Sequence, residues 1–66
     1  MNQQLAIDML YKKHDKLYLN KEDTAQELGI GRATLDRMRI DGEIKSSSIK
    51  GSIKFSLSEI AKFINE

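Results

Sequence analysis

The side chains that most often act as nucleophile, general base or metal ligand are almost absent from this chain, which has one histidine and no cysteine in 66 residues. His14 has neither a nucleophile nor a second metal ligand at a suitable spacing, and we interpret it as a surface histidine. Gly29 and Gly31 lack the further glycines and the lysine of a phosphate-binding loop. The sequence therefore predicts a protein that is not an enzyme and uses no cofactor or metal ion.

Arginine and lysine are the remaining candidates, because they bind the phosphates and base edges of nucleic acids. The net charge is only +1, but its distribution is uneven. Residues 30–54 hold six basic and three acidic side chains, whereas residues 20–29 hold one basic and three acidic. This pattern indicates one basic surface on a nearly neutral chain. Because the excess is small, an ordinary solvated surface with uneven charges is the alternative.

Apolar spacing and capping residues predict the elements that must position these charges. Leu5, Ala6, Met9, Leu10 and Tyr11 recur at helical spacing, which predicts an amphipathic first helix. Asn20 is a suitable N-cap for a helix that ends before Gly29. The predicted elements are a helix from Gln3 to about His14, a short edge strand at Leu17-Tyr18-Leu19, a helix from Lys21 to Leu28, and a helix from Arg32 that ends near Asp41-Gly42.

The last third of the chain favours a β-hairpin followed by a short helix. Lys50-Gly51 is a plausible turn between two strands, whose apolar anchors are Ile44, Ile49, Ile53 and Phe55. Ser56 and Glu59 have the spacing of a capping box, in which each side chain bonds the other residue's amide. We therefore expect a C-terminal helix after Ser56.

Two short helices joined by Gly29-Ile30-Gly31 match the helix-turn-helix plan. Ala25 falls where the helices approach most closely, and the positions that fill the space between them are Leu28, Ile30, Leu35 and Met38. A plain helical hairpin is the alternative. We predict a mainly α fold with a small β-hairpin, a winged helix-turn-helix with an extra N-terminal helix. It forms one domain over 1–66, with the N-terminal helix in 1–17, the helix-turn-helix in 18–42, the wing in 43–55 and the C-terminal helix in 56–66.

Several segments resemble the excisionase group of small winged-helix proteins, which are relatives of the DNA-binding domains of MerR-type regulators. The resemblance covers about residues 18–64 and rests on Tyr18-Leu19-Asn20-Lys21-Glu22-Asp23, Ala25-Gln26-Glu27-Leu28-Gly29-Ile30, Thr34-Leu35-Asp36-Arg37, Asp41-Gly42-Glu43-Ile44, Lys50-Gly51-Ser52-Ile53-Lys54-Phe55 and Ser58-Glu59-Ile60. It implies a recognition helix in the major groove of DNA and a wing on the minor groove or backbone, often with DNA bending or assembly with an integrase.

Three features depart from that family pattern. Gly31 stands where the family commonly has Ser or Thr, which can cap the helix and contact phosphate. Ile53 stands where the wing often has Trp or another aromatic residue, and isoleucine cannot stack on a base. The first 17 residues lie outside the usual short excisionase pattern and suggest an added partner surface.

The resemblance places the DNA-binding residues on the second helix of the motif and on the wing. On the helix they are Arg32, Ala33, Thr34, Asp36, Arg37 and Arg39. On the wing they are Lys50, Ser52 and Lys54, where the two lysines are the main phosphate contacts and Ser47, Ser48 and Ser52 are lesser donors. The arginines can donate to guanine edges or phosphate, Asp36 can accept from a cytosine amino group, and the lysines can contact phosphate. The alternatives are solvated charges, an ion pair of Asp36 with Arg32 or Arg39, and a solubilised hairpin edge.

We therefore expect double-stranded DNA as the partner of a small architectural factor or transcriptional regulator, encoded by a mobile element or acting in recombination. A lone module usually binds weakly, so repeated sites or a partner are expected to add affinity, and the oligomeric state is left open. The alternative is an adaptor that docks through Leu5, Met9 and Leu10 on an integrase, recombinase or polymerase. No apolar run approaches the roughly 20 residues that span a bilayer, and the acid in MNQQLAID is atypical of a signal peptide. We expect no membrane contact and a cytoplasmic location.

Overall fold

The computed structural model describes residues 2–64, which form four helices and a three-stranded antiparallel sheet. The elements in chain order are α1 (Gln3–His14), β1 (Tyr18–Leu19), α2 (Lys21–Leu28), α3 (Arg32–Ile40), β2 (Ser47–Ile49), β3 (Ser52–Ser56) and α4 (Leu57–Ile64). The predicted mainly α winged helix-turn-helix with an N-terminal helix is confirmed. None of the helices in this part of the chain is long and apolar enough to cross a membrane.

Asparagine side chains begin the first two helices. The Asn2 Oδ1 accepts from the Leu5 amide at 2.7 Å, and the Asn20 Oδ1 accepts from the Asp23 amide at 2.8 Å. Each bond satisfies one of the amides that a helix leaves unpaired in its first turn. The predicted N-cap at Asn20 is confirmed, and it fixes the point where α2 leaves the edge strand β1.

The turn between α2 and α3 depends on Gly29, which has a left-handed backbone with φ of 68°. This conformation lets the Ile30 amide donate to the Ala25 carbonyl at 3.0 Å and so closes the end of α2. Ile30 then packs against the core, as predicted. Gly31 begins α3 without a side-chain cap, so the family departure at this position leaves the first turn of α3 uncapped.

The wing is a tight hairpin whose inner strand also pairs with β1, giving the sheet order β1-β3-β2. Ile49 and Ser52 are paired on either side of the two-residue turn. Lys50 and Gly51 form that turn with φ of 52° and 78°, and positive values at both positions match the right-handed twist of the strands. The predicted turn and the predicted edge strand before α2 are both confirmed.

One hydrophobic core joins all four helices to the sheet. Its fully buried large side chains are Leu19, Leu35, Ile44, Phe55 and Ile60. Leu10 of α1 also belongs to this core, so the prediction that it forms part of a docking face is wrong. Ile49 was expected to anchor the wing, but it is exposed because it shares the outer side of the hairpin with Ser52.

The start of α4 has half of the predicted capping box. The Ser56 Oγ accepts from the Glu59 amide at 3.2 Å. The Glu59 carboxylate does not reach back to the Ser56 amide, because it accepts from the Lys45 amide at 3.0 Å and from the Lys62 ammonium. Glu59 therefore connects α4 to the chain that enters the wing.

Candidate nucleic-acid interface

α3 presents one side to the core and the other to solvent. Leu35 is fully buried, and Met38 packs against the core from the same side. The exposed residues of α3, which we call its outer face, are Arg32, Ala33, Thr34, Arg37 and Ile40. Four of these five were predicted as DNA-binding residues. A helix fixed by its buried side in this way holds the opposite side in a constant orientation.

Asp36 is tied to the protein and does not belong to the outer face. Its Oδ1 lies 2.9 Å from the Lys21 Nζ on α2 and 3.5 Å from an Arg39 guanidinium nitrogen on α3. The hydrogen bond from Lys21, aided by Arg39, lowers the pKa of the Asp36 carboxyl below its ordinary value. The expected alternative of an ion pair with Arg39 is thus present, and Lys21 adds a link between the two helices of the motif.

The predicted wing contacts Lys50, Ser52 and Lys54 lie at the tip and on one side of the hairpin, whereas Ser48 pairs with Ile53 on the other side. Lys50 lies in the turn, and Ser52 follows it on β3. Lys54 lies on the same side of β3 as Ser52, opposite the buried Phe55. Among residues 2–64, no carboxylate forms an ion pair with the basic side chains of the outer face and wing, Arg32, Arg37, Lys50 and Lys54.

A polar cleft joins the wing to the helix-turn-helix. Its walls come from the start of α2, the first turn of α3 and the wing turn, and its lining residues are Asn20, Lys21, Glu22, Arg32, Gly51, Ser52 and Ile53. Arg32 therefore lies beside the wing turn, whereas Ile40 lies at the opposite end of α3. The outer face and the wing form one continuous surface that starts at the wing tip and ends at Ile40.

Residues 18–66 match the family model described as a helix-turn-helix domain. The chain belongs to the helix-turn-helix domain family. This match covers both helices of the motif, the wing and α4, and it supports a small DNA-binding protein. No curated protein and no solved structure gives a significant match to the chain.

The helix-turn-helix domain is attached to α1 through a second charged cluster. The His14 Nε2 lies 2.7 Å and the Lys13 Nζ 2.8 Å from the Glu27 Oε2 on α2. The hydrogen bonds from Lys13 and His14 lower the pKa of Glu27 against the opposing effect of burial. His14 was expected on the surface, but it is largely covered and joins α1 to α2. No group of three metal-ligating side chains occurs among the described residues.

Glu59 performs a similar positioning role at the base of the wing of the helix-turn-helix domain. The hydrogen bond from Lys62 lowers the pKa of Glu59, and the Lys45 amide adds to this effect. Because Lys45 lies two residues before β2, its bond to Glu59 holds the entry to the hairpin against α4. The wing is thus fixed at its base, while Lys50 at its tip stays exposed.

Two residues at this surface, Ile40 and Lys21, were not predicted to take part in it. Ile40 was not among the predicted DNA-binding residues, although it lies three residues after Arg37 and seven after Ala33, the spacing of one helix face. Lys21 was predicted only as the first residue of its helix, and no local signal links it to Asp36, fifteen positions away. Ile40 could have been found by continuing the helical spacing of the predicted exposed residues to the end of α3.

Proposed function

We propose that the protein binds double-stranded DNA in a sequence-dependent way, with α3 in the major groove and the wing on the neighbouring backbone or minor groove. The observation that carries this proposal is the continuous surface formed by the outer face of α3 and the wing. Its four basic side chains have no carboxylate partner among residues 2–64. Cations without an internal partner are available to phosphates and guanine edges.

Each proposed contact follows from where its side chain lies. Arg37 is in the middle of the outer face, where a guanidinium can donate two bonds to one guanine. Arg32 lies beside the wing turn, where it can bind a phosphate between the groove that α3 enters and the part of the DNA that the wing contacts. Ala33 and Thr34 complete the base-facing side of α3. Lys50, Ser52 and Lys54 on the wing supply backbone contacts.

Asp36 and Arg39 take a different role in this proposal. Both were predicted to contact DNA, but the ion pairs with Lys21 and with each other engage their charges. We infer that they are positioning residues that fix α3 on α2. Their substitution should then weaken binding to all DNA sequences, because it disturbs the orientation of α3. The loss of a contact to one base would instead weaken binding to one sequence.

The test is fluorescence anisotropy with a duplex selected from a random pool, a scrambled duplex and a single strand, each at several salt concentrations. Arg37→Ala should weaken the selected duplex by about 1–3 kcal/mol and the scrambled duplex far less. Lys54→Ala should weaken both duplexes about equally and reduce the salt slope by about one. Lys12→Ala, an exposed lysine of α1, is the matched control and should change neither.

Two results would contradict the proposal. If the protein binds neither duplex nor single strand at low salt, DNA is not its partner. If Arg37→Ala and Lys54→Ala bind like the wild type while the duplex is bound, the surface is assigned wrongly.

An architectural, excisionase-like role and a role as transcriptional regulator make different predictions for DNA shape. An architectural factor bends its site, and bending brings fluorophores at the two ends of a short duplex closer together. A regulator that acts by occupancy needs no such bend. Energy transfer between end labels, measured with and without the protein, therefore separates the two roles.

Docking on a protein partner is the second candidate function, and the exposed side of α1 favours it. Leu5 and Met9 are 48% and 53% exposed and lie one helical turn apart on α1. The combined Leu5→Glu and Met9→Glu variant should keep its thermal midpoint and its DNA affinity, because neither side chain is in the core. A large fall in that midpoint would assign both residues to the core and remove the reason for a docking surface.

A further inference from the structure

Ile40, the last residue of α3, is the most exposed large hydrophobic side chain in the described part of the chain, with 73% of its surface accessible. Single exposed apolar residues are common on proteins, so exposure alone assigns no role. The position of Ile40 in the proposed DNA-binding surface gives it one.

Ala33, Arg37 and Ile40 are spaced four and three residues apart, so they form one stripe along the outer face of α3. The nine residues of α3 span about 13 Å at 1.5 Å per residue. The major groove is about 12 Å wide and admits an α-helix, whose diameter with side chains is about 10–12 Å. With α3 lying in the groove as proposed above, the whole stripe faces the base edges, from Ala33 in its first turn to Ile40 at its end.

The chemistry at the Ile40 end of the stripe differs from that at the wing end. At the wing end, Arg32 lines the cleft beside the wing turn, and Lys50 and Lys54 add cations on the wing itself. After Ile40 the next charged residues are Asp41 and Glu43, which are both exposed and repel phosphate. At this end of α3 the exposed side chain of Ile40 is the group suited to an apolar contact with a base.

The methyl group of thymine is the apolar feature that the major groove displays among its hydrogen-bonding atoms. We propose that Ile40 packs on a thymine methyl group and makes this end of α3 select thymine. This proposal rests on the DNA-binding function proposed above and deepens it. Ile40 lies about 4.5 Å beyond Arg37 along the helix, so the thymine lies one or two base steps of about 3.4 Å from the base that Arg37 contacts.

Replacing thymine by deoxyuridine tests the proposal, since it removes the methyl group and keeps the base pairing. The probe is the duplex that the wild type selects from a random pool, with each thymine replaced in turn. At one position, deoxyuridine should weaken wild-type binding about three- to fivefold, the ratio that corresponds to losing one buried methyl-sized group. Ile40→Ala should bind the thymine duplex more weakly and show no difference between the two bases at that position.

Ile49→Ala is the matched control, because Ile49 is also an exposed isoleucine but lies on the wing. This variant should keep the full difference between thymine and deoxyuridine. Circular dichroism should show that Ile40→Ala folds like the wild type, since the removed atoms are outside the core.

The possible outcomes separate this proposal from the one on which it rests. If the wild type binds every deoxyuridine duplex as tightly as the thymine duplex, or if Ile40→Ala keeps the difference, thymine selection by Ile40 is refuted while DNA binding stands. If the wild type binds no duplex, both proposals fail.

Discussion

Thr24 in the middle of α2 is fully buried, and its hydroxyl has no hydrogen-bond partner among the described residues. A buried hydroxyl that loses its water and gains no partner lowers stability, whereas a methyl group in the same place does not. Valine has the shape of threonine with a methyl group in place of the hydroxyl. Thr24→Val should therefore stabilise the protein.

The size of the effect follows from the environment of this side chain. An unsatisfied buried hydroxyl costs about 1–3 kcal/mol. Threonine and valine have similar helix propensities, so the backbone adds little. We expect the free energy of unfolding to rise by about 1–2 kcal/mol. With an unfolding entropy of about 2.1 cal/mol/K per residue, each kcal/mol raises the thermal midpoint of a chain this size by about 7 °C.

Thermal and urea unfolding followed by circular dichroism at 222 nm measure this change, with an unchanged urea slope as the sign that both states keep their compactness. Thr34→Val on the outer face is the matched control and should leave the midpoint nearly unchanged, since Thr34 is exposed. Thr24→Ser keeps the hydroxyl and loses a methyl group, so it should destabilise by about 1 kcal/mol. A midpoint of Thr24→Val at or below the wild-type value would show that the hydroxyl is satisfied in solution.

Three further predictions concern the turn between α2 and α3, the base of the wing, and the ion pair of Lys21 with Asp36 that joins α2 to α3. Gly29→Ala should lower the free energy of unfolding by about 1 kcal/mol, because the left-handed backbone at this position disfavours a side chain although the space around it is open. Gly31→Ser adds the missing cap of α3 and should raise the free energy of unfolding by a few tenths of a kcal/mol. Urea unfolding measures both changes. The pKa of Glu59 lies below its usual value of 4.5 in the folded protein, so its contribution to stability is present above that value and is lost as the pH falls through the folded pKa. The free energy of unfolding should therefore fall less at acid pH for Glu59→Gln than for the wild type. Urea unfolding at several pH values measures this difference. Asp36→Asn should weaken binding to the selected and scrambled duplexes by similar factors in the anisotropy assay, and a loss confined to the selected duplex would instead make Asp36 a base contact.

The parts of the fold that could be predicted are those whose signals are local in the sequence. Asn20 caps α2, Gly29 ends it and Lys50-Gly51 forms the hairpin turn, all as expected. A cap or a tight turn is decided by residues within about four positions of each other, so a single sequence contains the whole interaction. The three-residue spacing of Leu35 and Met38 is also a local signal, and it correctly predicted which side of α3 is buried.

The contacts that position the candidate site could not be predicted, because each joins residues that are far apart in the chain. Lys21 meets Asp36, and Glu59 meets the Lys45 amide, across the interfaces between separate elements. The sequence gives no distance between such elements until their packing is known. Leu10 and Met9 illustrate the same limit. They are adjacent apolar residues of α1, but Leu10 is buried in the core and Met9 is exposed.

The two sides of α3 separate folding from recognition in this small domain. Leu35 fixes the helix from the buried side, and the pair of Lys21 and Asp36 fixes it from the flank. Because Arg37 and Ile40 take no part in either set of contacts, substitutions there should change stability by less than about 0.5 kcal/mol. A chain with so small a core tolerates few larger losses. The outer face is therefore where DNA preference can change while the fold is kept.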